Sequence, residues 1–178
     1  HDIGMTLIPE HILDGGASLS ATDRELVNKH PLTGQTLLST LEPKWAWLPE
    51  VIAQHHERED GSGYPKGLRG AEIHDYAKII GLCDIYEALT HARPHRPALD
   101  PSSAIKTIVQ QQRDAFANTI LKAFLTTLSS YPVGSWVRLN RLDIGRVLRT
   151  NNTQPFRPIV EIRYKNSHLP YANPKIVD

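Results

Sequence analysis

The sequence predicts a mainly α protein that ends in a small antiparallel β-rich extension, and three observations lead there. Apolar residues recur at helical spacing in LPEVIAQHH (48–56) and in IHDYAKIIGLCDIYEALTH (73–91). After Tyr131 the texture changes to short, alternating, β-branched segments, SWVRLN, IGRVLRT and RPIVEIRY, separated by polar turns such as NNTQP. The length of 178 residues suits one cored domain with an appendage better than two full domains. The expected organisation is a helical domain over residues 1–130 and a β-rich extension of two to four strands over residues 131–178.

Taken in order, the first helical stretch runs from Ser20, a natural N-cap, to Leu41, with Leu26, Leu37 and Leu38 on its apolar side and Pro31 and Gly34 bending or breaking it. In the next helix Leu48, Val51, Ile52, His55 and His56 form one stripe at i, i+3, i+4, i+7 and i+8, so the two histidines continue its core-facing side. A third helix spans Ile73 to His91 and places Ala77, Ile80, Asp84 and Ala88 on one face. Asp100 followed by Pro101 caps and starts a further helical run to about Ser129, which can divide near Phe116 to Asn118.

Composition excludes several classes. Hydrophobic residues make up 40% and charged residues 22%, as in ordinary globular chains. Twenty basic against 19 acidic residues give a net charge of +1, so no overall field gathers DNA, RNA or an anionic membrane, and no nucleic-acid partner is expected. The single cysteine, Cys83, sits in an apolar segment and reads as a buried thiol, which with the lack of a disulfide framework points to a reducing, cytoplasmic setting. No apolar run approaches the roughly 18 residues of a spanning helix and no signal peptide is visible. The chain opens on histidine rather than methionine, as expected of a piece of something longer.

The chemistry concentrates in a few residues. A carboxylate on the apolar stripe of a helix, as at Asp84, costs several kcal/mol to bury alone, so it is paired, protonated or bound to a metal. His1, Asp2, His30, His55 and His56 also fall on or beside helices, and imidazole with carboxylate suits Zn, Mn or Fe rather than Mg or Ca. Such residues on separate helices can converge inside a bundle, although spacing alone does not establish convergence. Gly61, Gly63, Gly67 and Gly70 permit the tight turns that let the loop after His56 fold over a site or simply form a flexible surface loop.

HDIGM (1–5), KHPLTG (29–34), HHEREDGSGYPKGLRG (55–70) and CDIYEALTHARPHR (83–96) resemble, in this order, the successive motifs of the HD-GYP family, a bacterial signal-transduction branch of the HD-domain phosphohydrolases. The resemblance runs from residue 1 to about residue 125. It implies an HD-type helical bundle that holds two or three transition-metal ions, iron or manganese, and hydrolyses cyclic di-GMP to pGpG and GMP. Carried across, His1 and Asp2 are the HD pair, with Asp2 catalytic and bridging two ions. His30, His55, His56 and Asp84 are the remaining metal ligands, and Tyr64, Arg93 and Arg96 contact the substrate. The resemblance also implies contacts with GGDEF-type domain proteins through the GYP loop and a sensor or receiver domain upstream.

The pattern departs in places. Position 5 of the family motif is lysine and here is Met5, a thioether that carries no charge and donates no hydrogen bond to a reacting phosphate. An upstream histidine ligand, carried in the family by helices before the HD pair, is not in this sequence. Glu87 stands where aspartate is common and His95 where tyrosine is common. Two functional classes follow: a metal-dependent cyclic di-GMP phosphodiesterase, or a catalytically degenerate domain that binds nucleotide or a protein partner.

Overall fold

The computed structural model describes residues 1–13, 19–93, 96–128, 131–151, 153–154, 156–166 and 169–177. A 3-10 turn, Ile3–Leu7, and a short helix α1 (Glu10–Leu13) open the chain. Helix α2 (Ala21–Val27) is capped as expected by Ser20, whose hydroxyl accepts the Asp23 N–H at 3.1 Å. The run expected to reach Leu41 is two helices, α2 and α3 (His30–Leu37), with Pro31 in the first turn of α3. In one continuous helix the Pro31 ring would strike the Val27 carbonyl and leave it unbonded. Breaking the helix frees that carbonyl for a side chain, and His30 takes it.

Helix α4 (Leu48–Gln54) buries Val51, Ile52 and Ala53 and ends one residue before the histidine pair. Helix α5 (Asp75–Thr90) is the longest, begun by His74, whose Nδ1 accepts the Tyr76 N–H at 3.1 Å. The C-terminal helical run divides where expected, into α6 (Pro101–Gln111) and α7 (Asn118–Thr127) with a 3-10 turn, Arg113–Ala115, between them. Asp100 caps α6 by accepting the Ser103 N–H at 3.0 Å.

Apolar burial explains the assembly of these helices. Leu82 and Leu89 of α5 pack with Ile105 and Ile108 of α6 and with Leu121 and Phe124 of α7, and Phe116 fills the corner between the last two. A smaller cluster of Val51, Ile73 and Ala77 joins α4 to α5. Two glycines permit close approach. A Cβ at Gly4 would collide with the His30 carbonyl, and one at Gly81 with the His55 carbonyl. The opening turn can therefore lie against α3, and α5 against the end of α4.

The extension is a four-stranded antiparallel meander, β1 (Trp136–Arg138), β2 (Ile144–Arg149), β3 (Ile159–Lys165) and β4 (Leu169–Val177), in that spatial order. Val147 faces Val160 across β2 and β3, and Val160 faces Val177 across β3 and β4, which puts one apolar row on one face. Cys83 corrects the sequence expectation: it is exposed, because α5 turns Leu82 rather than its neighbour into the core. No helix among the described residues is long and apolar enough to cross a membrane.

Candidate metal centre

The site grows out of two helix ends. His30 starts α3, and its Nδ1 donates to the Val27 carbonyl released by the helix break, at 2.7 Å. His55 follows α4, and its Nδ1 donates to the Ile52 carbonyl at 2.6 Å, one of the carbonyls that a helix leaves unsatisfied at its C-terminus. A carbonyl can only accept, so in both rings Nδ1 carries the proton and Nε2 presents a lone pair. This is the arrangement by which backbone carbonyls orient imidazole ligands.

Those two Nε2 atoms lie 3.3 Å apart, with Asp2 Oδ1 at 3.3 Å from His30 and 3.5 Å from His55. Two lone pairs facing each other beside a carboxylate repel unless a positive charge sits among them, either a proton or a cation. Donors bonded to one transition-metal ion at about 2.1 Å stand roughly 3.0 to 3.4 Å from one another, so the spacing fits a cation as well as a proton. The residues present therefore fit a metal ion by donor chemistry and by spacing. One ligand atom each from Asp2, His30, His55 and His56 can be chosen so that all lie within 4.8 Å of one another.

The second Asp2 oxygen faces the other way. His1 Nε2 is 3.2 Å from Asp2 Oδ2 and 3.8 Å from Asp84 Oδ1. Asp2 thus meets His30 and His55 with one oxygen and His1, itself beside Asp84, with the other. With a proton on Nε2 of His30 or His55 where a cation could otherwise sit, hydrogen bonding to its charged form holds the Asp2 carboxyl far below the usual carboxylate range. Burial, and then the Asp2 charge, push Asp84 up. Burial among the neighbouring imidazoles pushes His56 down to about 3, which keeps its ring neutral and available as a ligand.

The loop after the histidines closes over this cluster. The Tyr64 ring stacks on His56 with centroids 4.6 Å apart and planes 21° off parallel, and burial pushes its phenol up to about 12. Gly61, Gly67 and Gly70 adopt positive φ, whereas Gly63 does not. At Gly63 the demand is space, since a Cβ would press on the Glu57 backbone. Asp2, Met5, His30, His56, Tyr64 and Arg93 line a common cavity of about 310 Å³, to which Asp84 also contributes. Arg93 pairs with Glu87 at 3.7 Å. Arg96 turns back, its guanidinium donating to the Ala88 carbonyl, and is not among the residues lining the cavity. His95 lies outside the described residues.

Three residues that hold the site in shape carry no metal-ligand signal in the sequence. Glu57, 2% exposed, accepts the Lys66 N–H at 2.7 Å and the Leu68 N–H at 2.9 Å and so ties the loop to the residue after the histidine pair. Arg58 donates to the His55 carbonyl at 3.1 Å and to the Glu57 carbonyl at 2.8 Å while its guanidinium covers the Phe116 ring. Lys78 of α5 pairs with Glu59 at 2.8 Å. The available signal was charge density: HHERED packs four charged residues into a turn between two buried elements, and buried charges need partners.

Comparison with known proteins gives a consistent picture. The HD domain family matches residues 1–120. A cyclic di-GMP phosphodiesterase of Pseudomonas aeruginosa is 33% identical over 91% of this chain and 39% of its own length. The cyclic di-GMP phosphodiesterase response regulator RpfG of Xanthomonas campestris is 34% identical over 70% of this chain and 33% of its own. The chain thus spans less than half the length of these relatives. In fold it is similar to the solved structure of an HDG"Y"P protein from Bdellovibrio bacteriovorus, with a TM-score of 0.50 over 68% of this chain and 38% of that one at 22% identity.

Proposed function

Since this chain belongs to the HD domain family, in its HD-GYP branch, we propose that it is the catalytic portion of a metal-dependent phosphodiesterase that hydrolyses cyclic di-GMP to pGpG and GMP. The observation that carries the reading is the Asp2 carboxylate, with one oxygen toward His30 and His55 and the other toward His1. A carboxylate so placed can bridge two cations. His30, His55 and His56 would hold one ion with Asp2, and His1 and Asp84 would hold another. The nitrogen-rich donor set favours iron or manganese over magnesium or calcium, and the resemblance allows two or three ions in all. Ions bound there would polarise the phosphodiester and lower the pKa of a water for in-line attack.

The chain's own residues supply the rest. Carbonyls of Val27 and Ile52 fix the imidazole orientation of His30 and His55. Tyr64, stacked on His56, forms part of the wall against which a guanine base can lie. Arg93 offers its guanidinium to a phosphate from across the cavity. Arg96 is committed to the Ala88 carbonyl in the structure, so a role on substrate requires it to let go.

Met5 favours a second reading, a nucleotide- or partner-binding domain without turnover, because it brings an uncharged thioether to the cavity wall. Incubation with Mn(II) or Fe(II) and cyclic di-GMP separates the two. The first reading expects pGpG, lost in Asp2→Ala. Nucleotide binding with no product in either metal would favour the second, and Met5→Lys would then be expected to restore turnover. We further propose a cytoplasmic setting, an upstream sensor or receiver domain, and contact with GGDEF-type domain proteins through the GYP loop, for which the family resemblance is the support.

A further inference from the structure

The net charge of +1 conceals a division along the chain. Residues 131–178 hold eight Lys and Arg against three Asp and Glu, so the β-rich segment is basic while the preceding residues are acidic overall. Four of those eight cations line a cavity of about 570 Å³ on the sheet, well within the range that holds small ligands. Its apolar part includes Val160 and Ile162, which are 2% and 7% exposed. Phe156 and Tyr171 add aromatic rings to the wall.

Around these surfaces stand Arg138, Arg141, Arg157 and Lys175, brought from β1, the β1–β2 turn, the approach to β3 and β4. None of the three arginines forms an ion pair with a carboxylate among the described residues. Lys175 lies 5.5 Å from the centroid of the Tyr171 ring. The acid on the wall, Asp143, accepts the Asn166 N–H at 3.1 Å. Four cations share this wall with a single carboxylate, and a bound anion offsets the repulsion that remains. Guanidinium forks suit a phosphate bidentately, and rings beside an apolar surface suit a flat heterocycle.

We propose that this cavity binds a nucleoside monophosphate, with the phosphate among the arginines and the base against Phe156 or Tyr171. No residue of this site takes part in the His and Asp cluster, and the inference does not depend on that cluster being catalytic. Titration calorimetry of the whole chain with GMP tests it, with guanosine and inorganic phosphate probing each half of the ligand. Arg141→Glu and Arg157→Glu, both at exposed positions, are expected to weaken GMP binding at least tenfold. Arg157→Lys should retain part of it, and a GMP site that needs Arg157 should persist in Asp2→Ala. Binding lost in Asp2→Ala but kept in both arginine variants would overturn the proposal by locating the nucleotide in the cluster. Equal affinity for phosphate alone would also overturn it, as would affinity that climbs with the length of a single-stranded RNA.

Discussion

Glu57 gives the sharpest test of how the loop is held over the cluster. Its carboxylate is almost fully buried and accepts two backbone N–H groups of the loop, from Lys66 and Leu68, at 2.7 and 2.9 Å. Hydrogen bonds to a charged acceptor contribute about 1.5–3 kcal/mol each. Glu57→Gln preserves shape but keeps only one acceptor oxygen, so one bond becomes neutral and the other becomes an amide N–H facing a backbone N–H. The expected loss is about 2–4 kcal/mol, since a buried donor without an acceptor adds its desolvation cost to the lost bond. With a urea m-value of roughly 2 kcal/mol/M, the unfolding midpoint should fall by about 1–2 M. Hydrogen exchange gives a local readout: the Lys66 and Leu68 amides should lose protection more than those of α6. A destabilisation below about 0.5 kcal/mol, the size of an ordinary surface substitution, with both amides still protected, would refute the clamp.

Other residues offer independent checks. Gly81→Ala drives a Cβ into the His55 carbonyl, and overpacking of that kind costs about 1–3 kcal/mol, read by thermal unfolding together with weaker binding of added Mn(II). Asp100→Ala removes the α6 cap and should cost about 1 kcal/mol at neutral pH. The Asp100 carboxyl is lowered to about 2 by hydrogen bonds from Ser103 and Ser102, so its contribution is complete above the unfolded carboxylate range and is lost as pH falls through about 2. Wild type and Asp100→Ala should therefore converge in melting temperature on acidification, and a constant difference would argue against the cap. Arg93→Ala is expected to weaken cyclic di-GMP binding roughly tenfold, the value of one charge-assisted contact, while elemental analysis shows the metal content unchanged; equal loss of both would make Arg93 structural.

Much of this was legible in the sequence because it is local. Ser20 and Asp100 cap the helices they precede, the stripe through Val51 and Ile52 is buried, and the alternating segments after Tyr131 are strands. In each case the deciding interaction lies within a few residues, or depends only on which face of an element is apolar. The family motifs were legible for a different reason, their order along the chain.

What the chain alone could not decide depends on where one element lies against another. The cysteine beside Leu82 looked buried from its neighbours, yet the rotation of α5 against α6 and α7 leaves Cys83 outside. Nothing local marks Glu57 as a clamp, and only the return of the loop gives it two amides to hold. The positions of His30 and His55 were determined by sequence, through Pro31 and the end of α4. Their Nε2 atoms meet beside Asp2 only because Gly4 lets the first turn lie against α3 and because α3 packs on α4. Helical periodicity fixes the direction of a side chain relative to its own axis; the distance between donors on two axes is set by the packing of the helices that carry them.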